Sequence, residues 1–132
     1  MRTELQLRTA RIGSERRPGE GLRIGTVRRV PRGIRKCDRS RLNYFDVWLP
    51  TLAPNEELLS AWNGKKLTLD QFFRHYRKEM QETDPRQVIA TLAKIAEQTP
   101  ITICCYCEDE SRCHRSVLYS LIREAAGLGN VS

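Results

Sequence analysis

The sequence lacks the long apolar segments that membrane insertion and secretion require. No apolar run approaches the roughly 18 residues of a membrane-spanning helix, and residues 1–20 contain no apolar core of a secretory signal. Glu4, Glu15 and Glu20 also disfavour an organellar transit peptide, because such peptides are poor in acidic residues. We therefore expect a cytoplasmic protein with no membrane-bound segment.

Cysteines are too few and too clustered for a disulfide framework. There are five, an odd number, and four of them lie between positions 104 and 113. Cysteines this close in the chain cannot join distant parts of a fold, so we expect reduced thiols. The sequence also lacks an inter-domain linker, an internal repeat and a low-complexity tract. Its 132 residues suit one domain spanning residues 1–132.

Lysine and aromatic residues are scarce in the first third of the chain, where arginine accumulates. Residues 1–41 contain 13 Arg and Lys against 4 Asp and Glu, a local charge of +9, and all these basic residues except Lys36 are arginines. Such a basic segment suits bidentate anion contacts and can follow a phosphate backbone, so nucleic acid is one expected partner. The scarcity of aromatics for base stacking leaves a solvated basic surface as the alternative.

The apolar pattern predicts an α/β domain with strands early and late in the chain and helices between them. Alternating apolar residues predict strands over residues 4–12 and 22–27. The short, nearly continuous apolar run over residues 101–107, which is rich in β-branched residues, predicts a buried, parallel strand. We expect a small layered domain in which helices flank a few-stranded, largely parallel sheet.

Four helices are predicted after the second strand. Pro54 begins a short one, and Thr68 caps the next with Gln71 as its capping-box partner. Asp84 is the predicted cap of the third helix, because Pro85 follows it and suits a first helical position. The fourth helix is predicted from about residue 112 to 126.

Several stretches resemble the domain of unknown function 488 family, in its YeaO-like branch. They are PRGIRK (31–36), FDVWLPTLAPNEELLSAW (45–62), FFRHYRKEM (72–80) and ITICCYC (101–107). The segment CYCEDESRCHRSVL is similar to a cysteine–histidine–arginine signature of the broader family. The resemblance implies an α/β fold over roughly residues 5–123, but no particular reaction.

Two departures from the YeaO-like pattern bear on the site. The stretch TVRRVPRG (26–33) lacks the acidic and tryptophan residues that usually follow the second strand in that branch. That branch also usually lacks the cysteine and histidine of the CYCEDESRCHRSVL segment. The chain therefore resembles a mixture of two patterns within the family.

The turn after the last predicted strand, residues 107–116, is the leading candidate site. Ligands of open α/β sheets lie beyond the carboxyl ends of parallel strands, where helix N-termini favour anions. Cations at the start of the last helix oppose its dipole unless an anion lies between them. We therefore predict a site for a phosphorylated or nucleotide-like ligand, and a turn neutralised by its own acidic residues 108–110 is the alternative. The predicted ligand-binding residues are Arg32, Arg112, Arg115 and Ser116.

The same turn predicts a reactive thiol. A cysteine at a helix N-terminus beside Arg or His⁺ has a lowered pKa and is nucleophilic. Cys113 fits by position, Cys107 fits as the last residue of the predicted strand, and His114 is the third candidate catalytic residue. The loop between them is acidic and glycine-free, which disfavours a phosphatase-like cradle. As an alternative, these cysteines are small apolar residues of the core, as we expect for Cys104.

Zinc binding is an alternative that the spacing disfavours. Cys105, Cys107, Cys113 and His114 would supply four soft ligands, but no pair among these three cysteines has the usual spacing of two to four residues. The adjacent Cys113 and His114 would also diverge on a helix. The sequence therefore assigns neither a metal nor a cofactor. It leaves a ligand-binding domain or enzyme, a nucleic-acid-associated module and a cysteine-based redox or zinc-binding domain as alternatives.

Overall fold

A computed structural model describes residues 5–30 and 32–128 and contains a four-stranded, all-parallel sheet. The strands are β1 (Leu7–Arg11), β2 (Leu22–Gly25), β3 (Val47–Trp48) and β4 (Ile101–Cys105). Their order across the sheet is β1-β4-β2-β3, with β4 pairing in parallel with both β1 and β2. The α/β class predicted from the sequence is confirmed. Because every strand runs the same way, all carboxyl ends meet at one edge of the sheet.

In the described part of the chain four α-helices cover the sheet, and the local sequence explains where they begin. They are α1 (Glu56–Asn63), α2 (Leu69–Glu79), α3 (Thr83–Gln98) and α4 (His114–Ala125). The capping box of Thr68 and Gln71 is confirmed. The prediction that Asp84 caps α3 was wrong, because the helix begins at Thr83 with Glu82 as its N-cap. Pro85 is still tolerated there, because the first turn needs no N–H donors.

The central strand β4 is buried along its whole length. Ile101 and Ile103 pack with Leu118 and Ile122 of α4 in the main core. Tyr76 of α2 lies in the same core, and its hydroxyl donates to the Leu52 carbonyl at 2.7 Å. A continuous apolar strand of this kind is typical of a parallel sheet with both faces covered.

The last strand is shorter than predicted, and the last helix begins later than predicted. The ladders with β1 and β2 reach only Cys105, so Tyr106 and Cys107 lie beyond the strand. A 3₁₀ turn over Glu110–Arg112 follows, and extended Cys113 forms the N-cap of α4. Arg112 therefore precedes the helix instead of lying in its first turn.

Several arginines of the basic first third are used inside the fold. Arg23 is completely buried; its guanidinium is paired with the Glu20 carboxylate and donates to the Asn43 carbonyl at 2.7 Å. Arg16 donates to both carboxylate oxygens of Asp46. These bonds tie the loop after β1 to the segment before β3. Within the described ranges, none of the helices is both long enough and apolar enough to cross a membrane.

Candidate functional site at the carboxyl edge of the sheet

A cavity of about 670 Å³ opens where β2 and β4 end. Its walls come from the residues that follow β2, those that follow β4, and the exposed side of α1. This edge is where open parallel sheets bind their ligands. The volume lies within the usual range for small-molecule sites, roughly 300–1,000 Å³.

The cavity is lined by arginines and aromatic rings. Arg28 donates to the carbonyls of Ala53 (3.1 Å) and Pro54 (3.2 Å), which holds its guanidinium at the wall. Arg29 pairs with Glu56 at 2.6 Å in an exposed ion pair. The Arg112 guanidinium lies 5.4 Å from the centre of the Trp62 ring, a cation–π distance. Cationic donors and flat apolar surfaces therefore face the same space.

Cys113 and His114 lie side by side and are buried. The His114 Nε2 atom is 2.8 Å from the Thr26 carbonyl oxygen, which can only accept. Nε2 therefore carries the ring proton, and the lone pair of Nδ1 faces the Cys113 Sγ atom, 3.8 Å away. Burial lowers the pKa of His114 to about 4, against the opposing effect of the Thr26 carbonyl. The imidazole is thus neutral near pH 7.

Cys105, at the end of β4, brings a second sulfur into this group. The structure pairs its Sγ atom with that of Cys113 as a disulfide, where the sequence predicted reduced thiols, while the two Cα atoms are 7.9 Å apart. Arg115 donates from Nη1 to the Cys105 Sγ atom at 3.1 Å and to the Cys107 carbonyl at 2.9 Å. Arg115 is only 4% exposed, and no carboxylate pairs with it within residues 5–30 and 32–128. A buried positive charge therefore faces sulfur.

The thiol pKa values of the other two cysteines near this site, Cys104 and Cys107, are raised above that of an ordinary cysteine. Burial raises the pKa of Cys104 to about 12, which agrees with its predicted place in the core. Cys107 lines the cavity and is exposed, and partial desolvation raises its pKa despite the nearby Arg115. Since a reactive cysteine needs a stabilised thiolate, these values do not favour Cys107 as a nucleophile.

The structure brings together some of the residues predicted for the site and separates others. Cys113, His114 and Arg115 gather around Cys105, while Cys107 and Arg112 line the cavity. Arg32 is exposed in a turn and does not contribute to the cavity wall. The Ser116 hydroxyl donates to the Cys113 carbonyl at 2.9 Å, within the first turn of α4.

Sequence reasoning missed Arg28 and Arg29, which take the place predicted for Arg32. Their position directly after a predicted strand was the available signal, because residues there reach the carboxyl edge of the sheet. Two of the three acidic residues of the turn bond elsewhere: Glu108 pairs with Arg11, and Glu110 accepts from Thr9. Asp109 accepts from Ser111, which lowers its pKa, and the charges of Arg112 and Arg115 lower it further. In the described chain no ion pair neutralises Arg112.

Fold and site together define a small parallel α/β domain with a cysteine–histidine–arginine centre beside a cationic cavity. The profile of the family described as the active DUF488-N3 subclade matches residues 7–126. The chain belongs to this branch of the domain of unknown function 488 (DUF488) family, as the sequence motifs predicted.

Relatives of the chain match it over nearly its whole length. The uncharacterized protein YeaO of Escherichia coli (strain K12) is 27% identical over 119 residues, which cover 90% of this chain and 98% of YeaO. The uncharacterized protein Rv3073c of Mycobacterium tuberculosis (strain ATCC 25618 / H37Rv) is also 27% identical over 119 residues, 90% of this chain and 95% of its own. No solved structure matches the chain significantly.

Proposed function

We propose that this domain binds a phosphorylated, nucleotide-like small molecule in the cavity at the carboxyl edge of the sheet. The observation that carries the proposal is the convergence of Arg28, Arg29 and Arg112 on one cavity that also presents Trp62 and Tyr106. Guanidinium groups bind phosphate oxygens in a bidentate manner. Aromatic rings offer a stacking surface for a base. Neither feature alone implies a nucleotide, but together they match the phosphate group and the base of a nucleotide.

The charge balance of the cavity supports an anionic ligand. Glu56 is the one acidic residue among those that form the wall, and its exposed pair with Arg29 is easily exchanged, since such pairs contribute little free energy. Arg112 lies over Trp62 without a carboxylate partner in the described chain. A phosphate group would thus find two guanidinium groups that are free or readily released.

Nucleic-acid binding through residues 1–41 has less support. Arg16, Arg23 and Arg28 of that segment are tied to carboxylates or carbonyls of the protein itself. Arg8 of β1 likewise donates to the Pro18 carbonyl in the loop after β1, and Arg17 of that loop donates to the Thr9 carbonyl of β1. A backbone-binding surface needs cations that are free to face phosphates, and these bonds reduce their number.

A thermal-shift panel tests the proposal. Inorganic phosphate, mononucleotides, dinucleotides and short oligonucleotides are compared at low and high salt, using the wild-type protein and Arg112→Ala. At about 100 times its dissociation constant, a ligand stabilises the native state by about 2.7 kcal/mol, which gives a readable shift in Tm. We expect a salt-tolerant shift with a small nucleotide that Arg112→Ala removes.

The matched control is Arg74→Ala, because Arg74 is an exposed arginine on α2 away from the cavity. It should keep the full ligand-induced shift. Stabilisation by oligonucleotides alone, fading as salt rises, would contradict the proposal and move the function to the basic segment.

A further inference from the structure

Three side chains of the kinds that bind metal ions lie close together at the wall of the cavity. The Sγ atoms of Cys105 and Cys113 and a ring nitrogen of His114 all lie within 4.8 Å of one another, and all three residues are buried. We propose that these three side chains bind a divalent metal ion of the softness of Zn²⁺, with one coordination position left open toward the cavity. Thiolate and imidazole ligands of this kind select zinc over hard cations.

The orientation of His114 supports metal binding. Its Nε2–H donates to the Thr26 carbonyl, which leaves Nδ1 deprotonated and directed at the Cys113 sulfur. Metal-binding histidines almost always donate their second ring N–H to a carbonyl or carboxylate, which fixes the ring and its tautomer. The 3.8 Å between Nδ1 and Sγ is close to the separation expected of two ligands around one tetrahedral ion, roughly 3.5 Å from the usual bond lengths.

Arg115 supplies a second, independent observation. This buried guanidinium donates to the Cys105 sulfur, and its Nε atom has no hydrogen-bond partner among the described residues. A buried cation without a carboxylate is costly unless negative charge lies beside it. Metal-bound thiolates accept N–H donors as outer-shell contacts. Because two thiolates only balance the two charges of the ion, the positive charge of Arg115 would be balanced by an anion in the fourth coordination position.

The backbone positions also favour a bridging ion over a permanent disulfide. The Cα atoms of Cys105 and Cys113 are 7.9 Å apart, whereas disulfides usually join Cα atoms about 4.4–6.8 Å apart. A metal ion between the sulfurs removes the need for that closer approach. One end of this group is held by β4 and the other by the N-cap of α4, so both thiols are fixed by regular structure.

The fourth position would face the cavity. Cys105 and His114 line it, and the exposed Cys107 is outside the group of three. Three protein ligands plus one open position are typical of zinc sites that bind water or a substrate oxygen. Metal binding itself does not depend on the function proposed above. Only the identity of the group in the open position, an oxygen atom of the bound ligand, depends on the proposed function.

Cobalt spectroscopy of the wild-type chain is the primary test. Co²⁺ is titrated into reduced protein from which metal has been removed by chelation. We expect about one equivalent to bind, with a thiolate-to-cobalt charge-transfer band in the near ultraviolet and the visible bands of tetrahedral cobalt. Zn²⁺ should displace it. The absence of a charge-transfer band, or a weak octahedral spectrum, would overturn the proposal.

Variants identify the ligands. Cys113→Ser and His114→Gln should weaken Zn²⁺ binding by at least about 10- to 100-fold, the loss typical even for outer-shell partners. Cys37→Ser is the matched control, because Cys37 is an exposed thiol outside the group. Cys107→Ser should also keep full affinity, and loss of binding in this variant would overturn the open position. The cobalt spectrum of the wild type stands even if a buried variant fails to fold.

Failure of this proposal and failure of the proposed function can be told apart. Cobalt binding without any nucleotide-induced shift would leave the metal site standing and remove the nucleotide. A nucleotide-induced shift in chelated protein, with no cobalt spectrum, would do the reverse. A Cys105–Cys113 disulfide in untreated protein that binds no metal even after reduction would overturn the metal site.

Discussion

Two arginines in the described part of the chain are almost completely buried, and their surroundings differ. Arg23, 0% exposed, is paired with the Glu20 carboxylate and donates to the Asn43 and Glu15 carbonyls. Arg115, 4% exposed, donates to one sulfur and one carbonyl, and its Nε has no partner within residues 5–30 and 32–128. Both guanidinium groups are buried, but only in Arg23 does every guanidinium nitrogen have a hydrogen-bond acceptor.

The difference separates a structural charge from a functional one. Buried polar groups in native proteins are nearly always satisfied, so an exception needs an explanation. Arg23 and Glu20 fix the loop after β1 and need nothing more. Arg115 has a nitrogen without a hydrogen-bond partner in the described chain, and metal-bound thiolates with an anion in the open position would supply both acceptors and negative charge. The following predictions test whether these two sites behave as differently as their contacts suggest.

The largest expected effect is on the structural pair. Glu20→Gln should lower the free energy of unfolding by about 3–5 kcal/mol, because it leaves the buried Arg23 charge without a carboxylate. Urea denaturation measures the loss. Glu15→Gln, an exposed neighbour in the same loop, is the control and should change stability by less than about 0.5 kcal/mol. A Glu20→Gln protein as stable as the control would contradict a structural role for the pair.

The next effect separates the two regions by pH in chelated protein. The pKa of His114 is about 4 in the folded state. Between about pH 6.5 and pH 4 the histidine is therefore protonated in the unfolded chain but stays neutral in the folded chain. The free energy of unfolding should therefore fall as pH drops from 6.5 to 4, by about 3 kcal/mol in total. Above about pH 6.5 the histidine is neutral in both states, so the free energy of unfolding no longer changes through this group. Denaturation midpoints across this pH range measure it.

His114→Gln should flatten this slope, and His75→Gln, on the exposed side of α2, is the matched control. The Glu20 region responds at lower pH. Burial raises the pKa of Glu20, but bonds from Arg23 and Arg17 outweigh it and the net shift is downward. Its stabilisation is lost only as pH falls below the ordinary Glu value of about 4.3. An unchanged slope in His114→Gln would contradict the buried, neutral histidine.

A smaller effect on stability is expected at the second arginine. Arg115→Met removes a buried charge without leaving a carboxylate unpaired, so chelated protein should lose no more than about 1 kcal/mol. The same variant should weaken Zn²⁺ binding by about 10- to 100-fold, as an outer-shell change does. A loss as large as that of Glu20→Gln, with unchanged metal affinity, would make Arg115 a purely structural residue.

The smallest effect on stability is expected at the cavity. Arg112 is exposed, so Arg112→Ala should change the free energy of unfolding by less than about 0.5 kcal/mol. Its contact with the Trp62 ring would be lost, and the intrinsic tryptophan fluorescence of the protein reports on that contact. A larger loss would show that the side chain holds the fold together instead of waiting for a ligand.

Much of the fold could be predicted from local patterns. The nearly continuous apolar run became the buried central strand β4, and the Thr68 capping box formed as its spacing indicated. The two-residue β3 could not be found, because a strand that short has no detectable period. The end of β4 was also misplaced, since it depends on where its partner strands β1 and β2 stop.

The candidate site was predictable in its chain segment but not in its composition. The Cys113–His114–Arg115 signature marked the right turn. Spacing argued against a metal because it could not show that Cys105, and not Cys107, meets the Cys113 sulfur. Charge counting, likewise, could not reveal that Arg23 is buried against Glu20 while Arg28 and Arg29 reach the cavity. These are contacts between residues distant in the chain, which no local pattern records.

Native mass spectrometry of protein purified under reducing conditions, without chelator, tests the central claim most directly. The convergence of Cys105, Cys113 and His114, with Arg115 donating to the Cys105 sulfur, predicts a chain that carries a bound zinc ion with its cysteines reduced. Denaturation in acid should release the ion and leave the mass of the reduced chain. A metal-free chain with an intact Cys105–Cys113 disulfide would contradict the account.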